Sequence, residues 1–447
     1  MKISVIGGTG YVGLVTGAGF AAHQHEVVCA DIDERKIEGL NQGILPIYEE
    51  GLEELVLKAR QEKKISFTSD IGKAVAEADV IFVAVGTPEG RNGETDVSHL
   101  FRAFKSIAEH IQGYKIIAVK STVPVGTCSK ARLFIQSNMK NPHGEFDVVS
   151  NPEFLREGSA VKDFLQPERV VVGTDKDKSA LVMEKLYAPF GAPVIFTDTR
   201  SSELIKYACN SYLATRLSFI NEIAEICEKV DADMASVLMG MKLDRRIGGA
   251  YLNPGPGFGG PCLSKDIKAL IHIGKRANAD TSLLRSVVHR NHLQVKGIFG
   301  KIWSALSGRE DRKVAILGLS FKAGTGDTRN SPAVKLVEKL AETKTKIVVY
   351  DPVVKYLEGA LQCGVEFADT AQQAVKGADC MVLMTEWEEF AQLDLNSTYR
   401  AMRTPVIIDT RNLLPAKKAE ALGFDYSGIG RRSSRHREAE ELQRNIV

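Results

Sequence analysis

The first 199 residues alternate short apolar runs with longer stretches in which apolar positions recur at helical spacing. The short runs are rich in Val and Ile, which is typical of strands that are buried on both faces. Such strands separated by helices predict a parallel α/β sheet. The predicted strands cover residues 3–6, 26–30, 80–85, 116–119, 148–150 and 170–172.

Residues 201–230 follow a different pattern and contain neither Pro nor Gly. Their apolar side chains recur at near-helical spacing, which predicts one long helix. We expect this helix to connect two domains and to offer a face for dimerisation. Its apolar positions include Leu204, Tyr207, Ala208, Leu213, Phe219, Ile220 and Ile223.

The alternation of strands and helices returns after residue 313, with apolar runs at 314–317, 347–350, 380–384 and 406–408. These runs repeat the order of the first region, which favours an internal repeat. Convergence on the composition of any buried parallel strand is the alternative. The sequence therefore predicts an α/β fold with two Rossmann-like, doubly wound domains, joined by a central helical domain with a long connecting helix.

The changes of pattern also predict the domain limits. A first Rossmann-like domain would cover residues 1–199, a central helical domain 200–305, and a second Rossmann-like domain 306–430. Three domains agree with a chain of 447 residues at about 150 residues per domain. Residues 431–447 contain few apolar side chains, so we expect a basic, solvated tail. Its arginines are Arg431, Arg432, Arg435 and Arg437.

Charge and composition exclude several classes of protein. Lys and Arg number 58 and Asp and Glu 56, so the formal charge of +2 gives no strong field for nucleic acid or a membrane surface. No apolar run approaches the roughly 18 residues of a membrane span. The chain begins directly with a predicted strand, without the pattern of a signal peptide. We therefore expect neither nucleic acid nor membrane as a partner.

The seven cysteines are odd in number and scattered, without a C-x-x-C pair. This distribution indicates neither a disulfide framework nor a thiolate zinc site. A reducing compartment fits such thiols, so we expect the protein in the cytoplasm. His289 and His292 stand three residues apart, but no third ligand lies nearby in the sequence, and no metal site is predicted.

The first strand runs into a G-x-G-x-x-G sequence, Gly-Thr-Gly-Tyr-Val-Gly from Gly8 to Gly13, that opens a helix. In this context the pattern predicts a dinucleotide site, because its glycines permit a tight turn and close approach of a pyrophosphate to the helix N-terminus. The expected cofactor contacts in this loop are Gly8, Gly10, Tyr11 and Val12.

Asp31 follows the second strand about 20 residues further on, where a carboxylate accepts a ribose 2′-hydroxyl and repels a 2′-phosphate. This position favours NAD over NADP. The alternative is that Arg35 contacts a 2′-phosphate or another part of the cofactor.

Two further strands end in turns with hydroxyl side chains. Thr87 stands in Val-Gly-Thr-Pro from Val85, and Thr122 in Lys-Ser-Thr-Val-Pro from Lys120. In a doubly wound sheet ligands bind at the carboxyl ends of the strands. We expect both threonines to border the cofactor. The alternative is that they belong to ordinary strand-ending turns, which have the same sequence pattern.

A glycine-rich segment at residues 255–260 leads to Cys262 at the start of a predicted helix over residues 263–273. A thiol at a helix N-terminus gains thiolate character, and Lys265 lies one turn away. A nucleophilic cysteine in a chain that binds NAD suggests a thiohemiacetal that loses hydride to become a thioester. A buried structural thiol is the alternative. The loop residues expected to contact a sugar are Gly257, Phe258 and Gly259.

Motifs from Gly8 to about Gly430 resemble, in order, those of the UDP-glucose/GDP-mannose dehydrogenases, a family of nucleotide-sugar dehydrogenases. They read Gly-Gly-Thr-Gly-Tyr-Val-Gly from Gly7, Val-Gly-Thr-Pro from Val85, Lys-Ser-Thr-Val-Pro-Val-Gly-Thr from Lys120, Asn-Pro-Glu-Phe-Leu-Arg-Glu-Gly from Asn151, Glu-Leu-Ile-Lys-Tyr from Glu203, Gly-Phe-Gly-Gly-Pro-Cys ending at Cys262, Lys265-Asp266, and Gly-Leu-Ser-Phe-Lys from Gly318.

The resemblance implies NAD-dependent oxidation of a nucleotide sugar at C6 to an acid, with two hydride transfers. Cys262 would be the nucleophile of the second oxidation. Lys206, with Asn210 and Asp266, would accept the first proton through water and stabilise the oxyanion. Glu153 would assist thioester hydrolysis.

Other roles are implied in the same way. Thr122 would hold the ordered water, and Glu157 would lie close to the cofactor. Lys265 and Arg329 would also approach the cofactor, although a local ion pair with Asp327 is an equal alternative for Arg329. The implied substrate contacts are Glu153, Phe154, Leu155, Arg156, Lys206, Asn210, Tyr251, Lys322, Arg411 and, from a neighbouring subunit, Arg246.

The sequence departs from the common family pattern at Pro261, where Ser stands more often and where Pro removes one backbone N–H beside the thiol. Cys262 therefore has one backbone donor fewer beside it than the common pattern provides. The Asp-x-Arg-Ile-Gly segment from Asp244 and the loop ending at Cys262 favour UDP-glucose as substrate, giving UDP-glucuronate. GDP-mannose, UDP-N-acetylmannosamine or a catalytically silent nucleotide-binding protein are the alternatives. A homodimer or a larger homo-oligomer is expected.

Overall fold

The computed structural model describes residues 1–357 and 364–434, which form two compact units. The first unit contains residues 1–209 and 268–279, and the second contains residues 210–267 and the described part of 280–447. Most of the predicted basic tail, including Arg435 and Arg437, lies outside the described residues. Its first four residues are described and are not solvated as expected, because Arg431 pairs with Glu420 at 2.9 Å and Ser434 is buried.

The first unit is built on an eight-stranded sheet with the order β3-β2-β1-β4-β5-β6-β7-β8. Strands β1 to β6 are parallel and follow the order of a doubly wound Rossmann sheet. The strands are β1 (Lys2–Ile6), β2 (Glu26–Ala30), β3 (Ile65–Thr68), β4 (Val80–Val83), β5 (Tyr114–Val119), β6 (Glu145–Ser150), β7 (Val170–Gly173) and β8 (Val194–Thr197).

The last two strands of this sheet run opposite to the other six, which departs from the predicted parallel arrangement. β7 runs antiparallel to β6, with Ser150 opposite Gly173, and β8 is parallel to β7. The only helix between β6 and β7, α7 (Ala160–Leu165), has six residues and so is about 9 Å long. The connection from β6 to β7 therefore lacks the long crossover helix that is usual between parallel strands.

Helices cover both faces of this sheet, because alternate side chains of each strand enter different cores. In β4, for example, Phe82 joins one apolar cluster, whereas Ile81 and Val83 join the other. The helices of this part of the chain are α1 (Tyr11–Ala22), α2 (Glu34–Gln42), α3 (Leu52–Gln61), α4 (Ile71–Glu77), α5 (Ser98–His110), α6 (Thr127–Asn138), α7 and α8 (Asp177–Tyr187), followed by the 3-10 turn Ala188–Phe190.

The long central helix is confirmed. α9 (Thr199–Val230) begins in the first unit and ends in the second, and its 32 residues correspond to about 48 Å. Ile220 and Ala224 of its second half share a core cluster with Ile298 and Ile302 of α12 (Ser282–Ala305). The remaining helices of this region are α10 (Met234–Leu243) and α11 (Leu263–Arg276).

The second unit repeats the topology with six parallel strands in the order β11-β10-β9-β12-β13-β14. This order matches β3-β2-β1-β4-β5-β6, so the predicted fold class is confirmed. The elements are β9 (Lys313–Leu317), α13 (Pro332–Ala341), β10 (Lys346–Tyr350), β11 (Val365–Phe367), α14 (Ala371–Val375), β12 (Cys380–Leu383), α15 (Glu388–Ala391), α16 (Leu395–Ala401), β13 (Val406–Asp409), α17 (Ala416–Ala421) and β14 (Asp425–Gly428).

Replacement of Gly13 by Ala tests the close packing of α1 on the first loop. A Cβ at Gly13 would overlap the carbonyl oxygen of Gly7, so we expect Gly13→Ala to lower the free energy of unfolding by about 1–3 kcal/mol. Ala otherwise stabilises a helix relative to Gly, so any loss of unfolding free energy must come from the close contact. Urea denaturation measures the loss.

Gly10→Ala is the matched control, because a Cβ there would meet only the Gly7 oxygen, at 3.4 Å, and φ at Gly10 is −75°. We expect it to keep wild-type stability. Equal stability of the two variants would contradict this account of the loop.

Candidate functional site

The glycine-rich loop after β1 leaves the N-terminus of α1 open. Gly10 is the N-cap, no side chain caps the helix, and its first turn contains no acidic residue. The N–H groups of this turn therefore point to a place where an anion would be stabilised. Gly8 lies so close to β2 that a Cβ would come within 2.7 Å of the Cys29 side chain. The predicted dinucleotide loop thus has the required backbone geometry.

Asp31 follows β2 and is oriented by this loop. Its Oδ2 accepts hydrogen bonds from the N–H of Thr9 at 3.1 Å and from the Thr9 hydroxyl at 2.6 Å. Its Oδ1 accepts the N–H of Asp33 at 3.2 Å, and the side chain is only partly buried. Such a carboxylate remains available to a ribose hydroxyl. Arg35 is exposed in the first turn of α2.

Asp351 is the corresponding carboxylate of the second sheet, and it bonds to backbone groups of its own unit. Asp351 follows β10 and is almost completely buried. Its Oδ2 accepts the N–H groups of Leu319 and Ser320, and its Oδ1 those of Val353 and Val354. Its oxygens are therefore committed to the fold. Only the first sheet combines a G-x-G-x-x-G loop with an accessible carboxylate.

Thr87 and Thr122, from the turns after β4 and β5, lie together. The Thr87 hydroxyl donates to the carbonyl oxygen of Thr122 at 2.9 Å. Both side chains are partly exposed at the edge that also carries the glycine loop. The structure thus brings these two predicted residues to the expected edge.

A buried ion pair joins α9 to the segment after β6. Lys206 Nζ lies 3.0 Å from Glu153 Oε1, with the two side chains 4% and 8% exposed. Glu153 Oε2 accepts the N–H of Leu155 at 2.6 Å, and the Phe154 ring lies 5.3 Å from Lys206 Nζ. Burial raises the pKa of Glu153, but Lys206 and the Leu155 N–H outweigh burial, so its pKa lies below the usual value. The pair can hold a charged base at neutral pH.

Arg156, in the same segment, is turned toward a neighbour. Its guanidinium pairs with Asp163 at 2.5 Å, and its N–H also donates to that carboxylate. Arg156 is exposed, and a substrate contact for it stays a prediction.

Glu49 is a buried residue that the sequence analysis missed. It accepts a short hydrogen bond from the Tyr11 hydroxyl, together with the N–H groups of Gly158 at 2.7 Å and Ala160 at 2.6 Å. It therefore joins the glycine loop to the segment that contains Glu153. Burial, Glu49 and the nearby Glu157 all raise the pKa of Tyr11, so its hydroxyl remains a donor. Nothing in the local sequence distinguishes Glu49 from Glu50.

In the second unit, Cys262 directly precedes α11, as predicted. Its carbonyl oxygen accepts the N–H of Asp266 at 2.9 Å, which is the first hydrogen bond of the helix. Its side chain is exposed. A thiol in this place lies at the positive end of the helix dipole, where a thiolate is stabilised.

Asp266 connects two other predicted residues. It is 1% exposed and accepts Asn210 Nδ2 at 2.6 Å and Lys265 Nζ at 2.6 Å. The structure thus gathers Asn210, Asp266 and Lys265 into one hydrogen-bonded group. Asn210 stands four residues after Lys206 in α9, and this spacing places both on one face of the helix.

The glycine loop before Cys262 is held by three side-chain amides that the sequence analysis missed. Asn221 accepts the N–H of Gly255 and Gln294 donates to its carbonyl, both at 2.8 Å. Asn291 accepts the N–H of Phe258 at 2.8 Å and donates to its carbonyl at 3.0 Å. The loop backbone is therefore fixed by α9 and α12.

Two glycines of this loop cannot be replaced without strain. Gly257 has φ of +105°, and a Cβ there would lie 2.7 Å from Asn291 Oδ1. A Cβ at Gly259 would lie 2.7 Å from the Asn330 carbonyl oxygen. Tyr251, before the loop, is partly exposed and also has a positive φ, +56°.

The basic residues of the second unit have local partners. Arg411 pairs with Glu386 at 2.9 Å and donates to the carbonyls of Met384 and Phe321, and burial lowers its pKa. Lys322 Nζ lies 5.8 Å from the Phe321 ring and is partly exposed. The carboxyl-terminal edge of the second sheet therefore carries both of these predicted substrate contacts.

Arg246 and Arg329 form ion pairs with residues two positions earlier in the sequence. Arg329 pairs with Asp327, as the alternative interpretation expects, and a cofactor contact for it stays a prediction. Arg246 pairs with Asp244 at 2.7 Å, but its side chain is 89% exposed. Arg246 is therefore placed on the surface of its own chain.

Two types of site have no counterpart in residues 1–357 and 364–434. No group of three His, Cys, Asp or Glu side chains is arranged to bind a metal ion there. Across the same ranges, no helix has the length and apolar character needed to cross a bilayer.

Three family models match the chain in sequence order. The NAD binding domain of the UDP-glucose/GDP-mannose dehydrogenase family matches residues 1–191. The central domain of that family matches residues 200–293, and its UDP binding domain matches residues 315–416.

Curated relatives match almost the whole chain. UDP-glucose 6-dehydrogenase TuaD of Bacillus subtilis is 43% identical over 431 residues, which are 96% of this chain and 93% of that protein. UDP-glucose 6-dehydrogenase of Rhizobium meliloti is 42% identical over 438 residues, or 96% of this chain and 100% of that protein. A solved UDP-glucose dehydrogenase from the archaeon Pyrobaculum islandicum has a TM-score of 0.88 at 33% identity, covering 94% of this chain and 95% of that chain.

Glu49→Gln tests the buried carboxylate that joins two loops. The amide nitrogen of Gln would face an N–H group that now donates to an oxygen, so we expect the free energy of unfolding to fall by about 2 kcal/mol. Urea denaturation measures the loss. Glu50→Gln, at the exposed neighbouring position, is the control and should unfold like the wild type. An equal effect of both changes would refute the structural role of Glu49.

Proposed function

Because the chain belongs to the UDP-glucose/GDP-mannose dehydrogenase family, we propose that it oxidises C6 of UDP-glucose to the carboxylate of UDP-glucuronate and reduces two NAD per sugar. The observation that carries this proposal is the presence in one chain of a dinucleotide loop with Asp31 and of Cys262 at a helix N-terminus. A dehydrogenase that stops at an aldehyde has no use for such a thiol.

The residues of the first unit fit NAD. The open N-terminus of α1 suits a pyrophosphate, and Asp31 suits an adenosine ribose with a free 2′-hydroxyl. When bound, NAD supplies a hydride acceptor. We assign further cofactor contacts to residues of both units. Those of the first unit are Gly8, Gly10, Tyr11, Val12, Arg35, Thr87, Thr122 and Glu157, and those of the second are Lys265 and Arg329.

For the first oxidation we assign Lys206, Asn210 and Asp266. The C6 alcohol loses a proton through water and a hydride to NAD, giving an aldehyde. Lys206 is a buried cation and Asn210 an oriented amide donor, so both suit an oxygen that gains negative charge. Thr122 and Asp266 would orient the water.

For the second oxidation we assign Cys262 as nucleophile. Its thiolate adds to the aldehyde carbon, and the oxygen takes a proton to give a thiohemiacetal. Loss of that proton and of a hydride to a second NAD gives a thioester. Attack of water on the thioester then forms the carboxylate and returns the thiol.

For the hydrolysis we assign Glu153 as base. Its lowered pKa keeps it ionised at neutral pH, and Lys206 and Leu155 fix its two oxygens. Ionisation is lost as pH falls through that lowered pKa, so hydrolysis should slow only under acidic conditions.

The sugar nucleotide would contact the segment after Glu153, the fixed glycine loop and the basic edge of the second sheet. A planar ring suits an aromatic neighbour such as Tyr251, and phosphates suit cations. The assigned contacts are Phe154, Leu155, Arg156, Tyr251, Gly257, Phe258, Gly259, Lys322 and Arg411, with Arg246 from a partner subunit.

We further propose that the chain works as a homodimer or larger homo-oligomer through α9. Tyr212, Phe219 and Ile226 recur every seven residues of this helix and are all exposed, Phe219 to 51%. Side chains at this spacing form one apolar stripe, and natural surfaces rarely leave such a stripe uncovered. Arg246, which pairs with Asp244 and is exposed on its own chain, would then be accessible to a partner subunit.

We also propose the predicted domain limits, 1–199, 200–305 and 306–430, with residues 431–447 as a basic tail. The first domain would bind NAD and the third the UDP moiety. The cytoplasm is the proposed location, because Cys29, Cys128 and Cys380 are buried thiols outside any disulfide.

Counting NADH per limiting sugar tests the proposed function. We expect two NADH per UDP-glucose, and no turnover with GDP-mannose or UDP-N-acetylmannosamine. Cys262→Ser should form no acid while it retains binding of NAD and UDP-glucose, because only the thiol carries the thioester. Cys227→Ala, at a cysteine further along α9, should keep at least half of the wild-type rate. One NADH per sugar, or full activity of Cys262→Ser, would remove the thioester step.

Phe219→Asp tests the dimer. A carboxylate on the apolar stripe should weaken association by about tenfold or more, since burial of an unpaired charge costs well over 1.4 kcal/mol. Light scattering after size exclusion measures the mass, and turnover should fall with dissociation because Arg246 is supplied in trans. Leu133→Asp, at an exposed position of α6, is the control. An unchanged mass for Phe219→Asp would place the interface elsewhere.

A further inference from the structure

A second buried lysine lies beside the Lys206–Glu153 pair. Lys120 follows β5 directly, at the carboxyl end of the sheet, and is almost completely buried. Its Nζ donates to Asn151 Oδ1 at 3.2 Å, and Asn151 stands two residues before Glu153. Asn151 Oδ1 also accepts the Tyr187 hydroxyl at 2.6 Å. The ammonium group is thus anchored next to the segment that carries the proposed base.

Among the described residues, Glu153 is the carboxylate that acts on the Lys120 ammonium group. Its Nζ lies 5.9 Å from the centres of the Phe82 and Phe164 rings, and these apolar faces replace water. Burial lowers the pKa of Lys120 to about 8, Glu153 raises it and Lys206 lowers it. Lys120 in turn helps to lower the pKa of Glu153. Glu153 therefore interacts with two buried ammonium groups, those of Lys206 and Lys120.

The two lysines have different roles in the proposed reaction. Lys206 bonds Glu153 directly at 3.0 Å, but in the proposed mechanism it also faces an oxygen that gains charge. A cation shared with such an oxygen attracts Glu153 less strongly. Lys120 bonds only Asn151 among the described residues and is enclosed by aromatic rings, so its charge stays with the carboxylate.

We infer that Lys120 is a positioning residue that supports the negative charge of Glu153 while Lys206 serves the substrate. The inference rests on the proposed function. Lys120 acts through Glu153 in thioester hydrolysis and not on the sugar. Its loss therefore affects the last step and leaves the two hydride transfers intact.

The test compares neutral and charged replacements. Lys120→Gln removes the charge and keeps a donor for Asn151, and Lys120→Met removes both. In either variant the pKa of Glu153 rises, so the acid limb of kcat should move to higher pH by about one unit. Lys120→Arg keeps the positive charge, so the acid limb of its kcat profile should lie at the same pH as in the wild type. If one of the two neutral variants does not fold, the other still tests the inference.

Lys115 supplies a matched control at the other end of the same strand. It is equally buried, but its Nζ donates to the carbonyls of Ala76 and Ala78 at 2.8 and 2.5 Å. Lys115→Met should leave the acid limb of kcat in place, even if the melting temperature falls. A shift of the limb in Lys115→Met would show that loss of a buried charge acts by general destabilisation.

Rapid mixing with UDP-glucose and excess NAD separates the steps. Lys120→Gln should give the wild-type burst of two NADH per active site, followed by a steady rate that is slower by a factor of several at pH 6. Wild-type NADH formation alone tests the proposed function, so its failure is distinguishable from failure of this inference. An unshifted acid limb in both neutral variants, or an equal shift in Lys120→Arg, would overturn the role of Lys120.

Discussion

The buried ion pair between Lys206 and Glu153 is the interaction on which the functional edge of the first unit depends. Removing two charges from water is costly, and the mutual attraction of the charges offsets that cost only if the remaining polar atoms are also satisfied. Here the Leu155 N–H binds the second oxygen, and the Phe154 ring lies beside the ammonium. The pair therefore fixes α9 against the segment after β6, and it fixes the charge of the base. Glu49 extends the same constraint to the glycine loop through Tyr11.

The two sheets show how one topology serves two uses. Both have the strand order of a doubly wound fold and an aspartate after the second strand. In the first sheet Thr9 takes one oxygen of Asp31, and the carboxylate stays partly exposed beside an open helix N-terminus. In the second sheet backbone N–H groups surround Asp351, which makes it a structural anchor. The identity of the loop residues, and not the fold, decides which aspartate is available to a ligand.

Sequence reasoning succeeded where the signal is local. The Val and Ile runs predicted ten of the fourteen described strands but not β3, β8, β11 or β14. The absence of Pro and Gly predicted α9, and the position of Cys262 followed from a glycine-rich segment before an amphipathic stretch. It failed where a feature depends on contacts between distant segments. Glu49 reaches the N–H of Gly158 across 109 positions of sequence, and no periodicity marks it. The direction of β7 and β8 is likewise decided by which strands pair, and a run of Val and Ile does not reveal it.

The loop before Cys262 shows that a glycine-rich sequence is compatible with a fixed backbone. Glycine is required there because φ at Gly257 is positive and because the loop approaches Asn291 closely. The absence of side chains then lets carboxamides from α9 and α12 reach the backbone groups of Gly255 and Phe258. Ordering a free loop opposes ligand binding. Since folding already orders this loop, its backbone groups are placed before any sugar arrives, and the thiol that follows it keeps its position at the helix N-terminus.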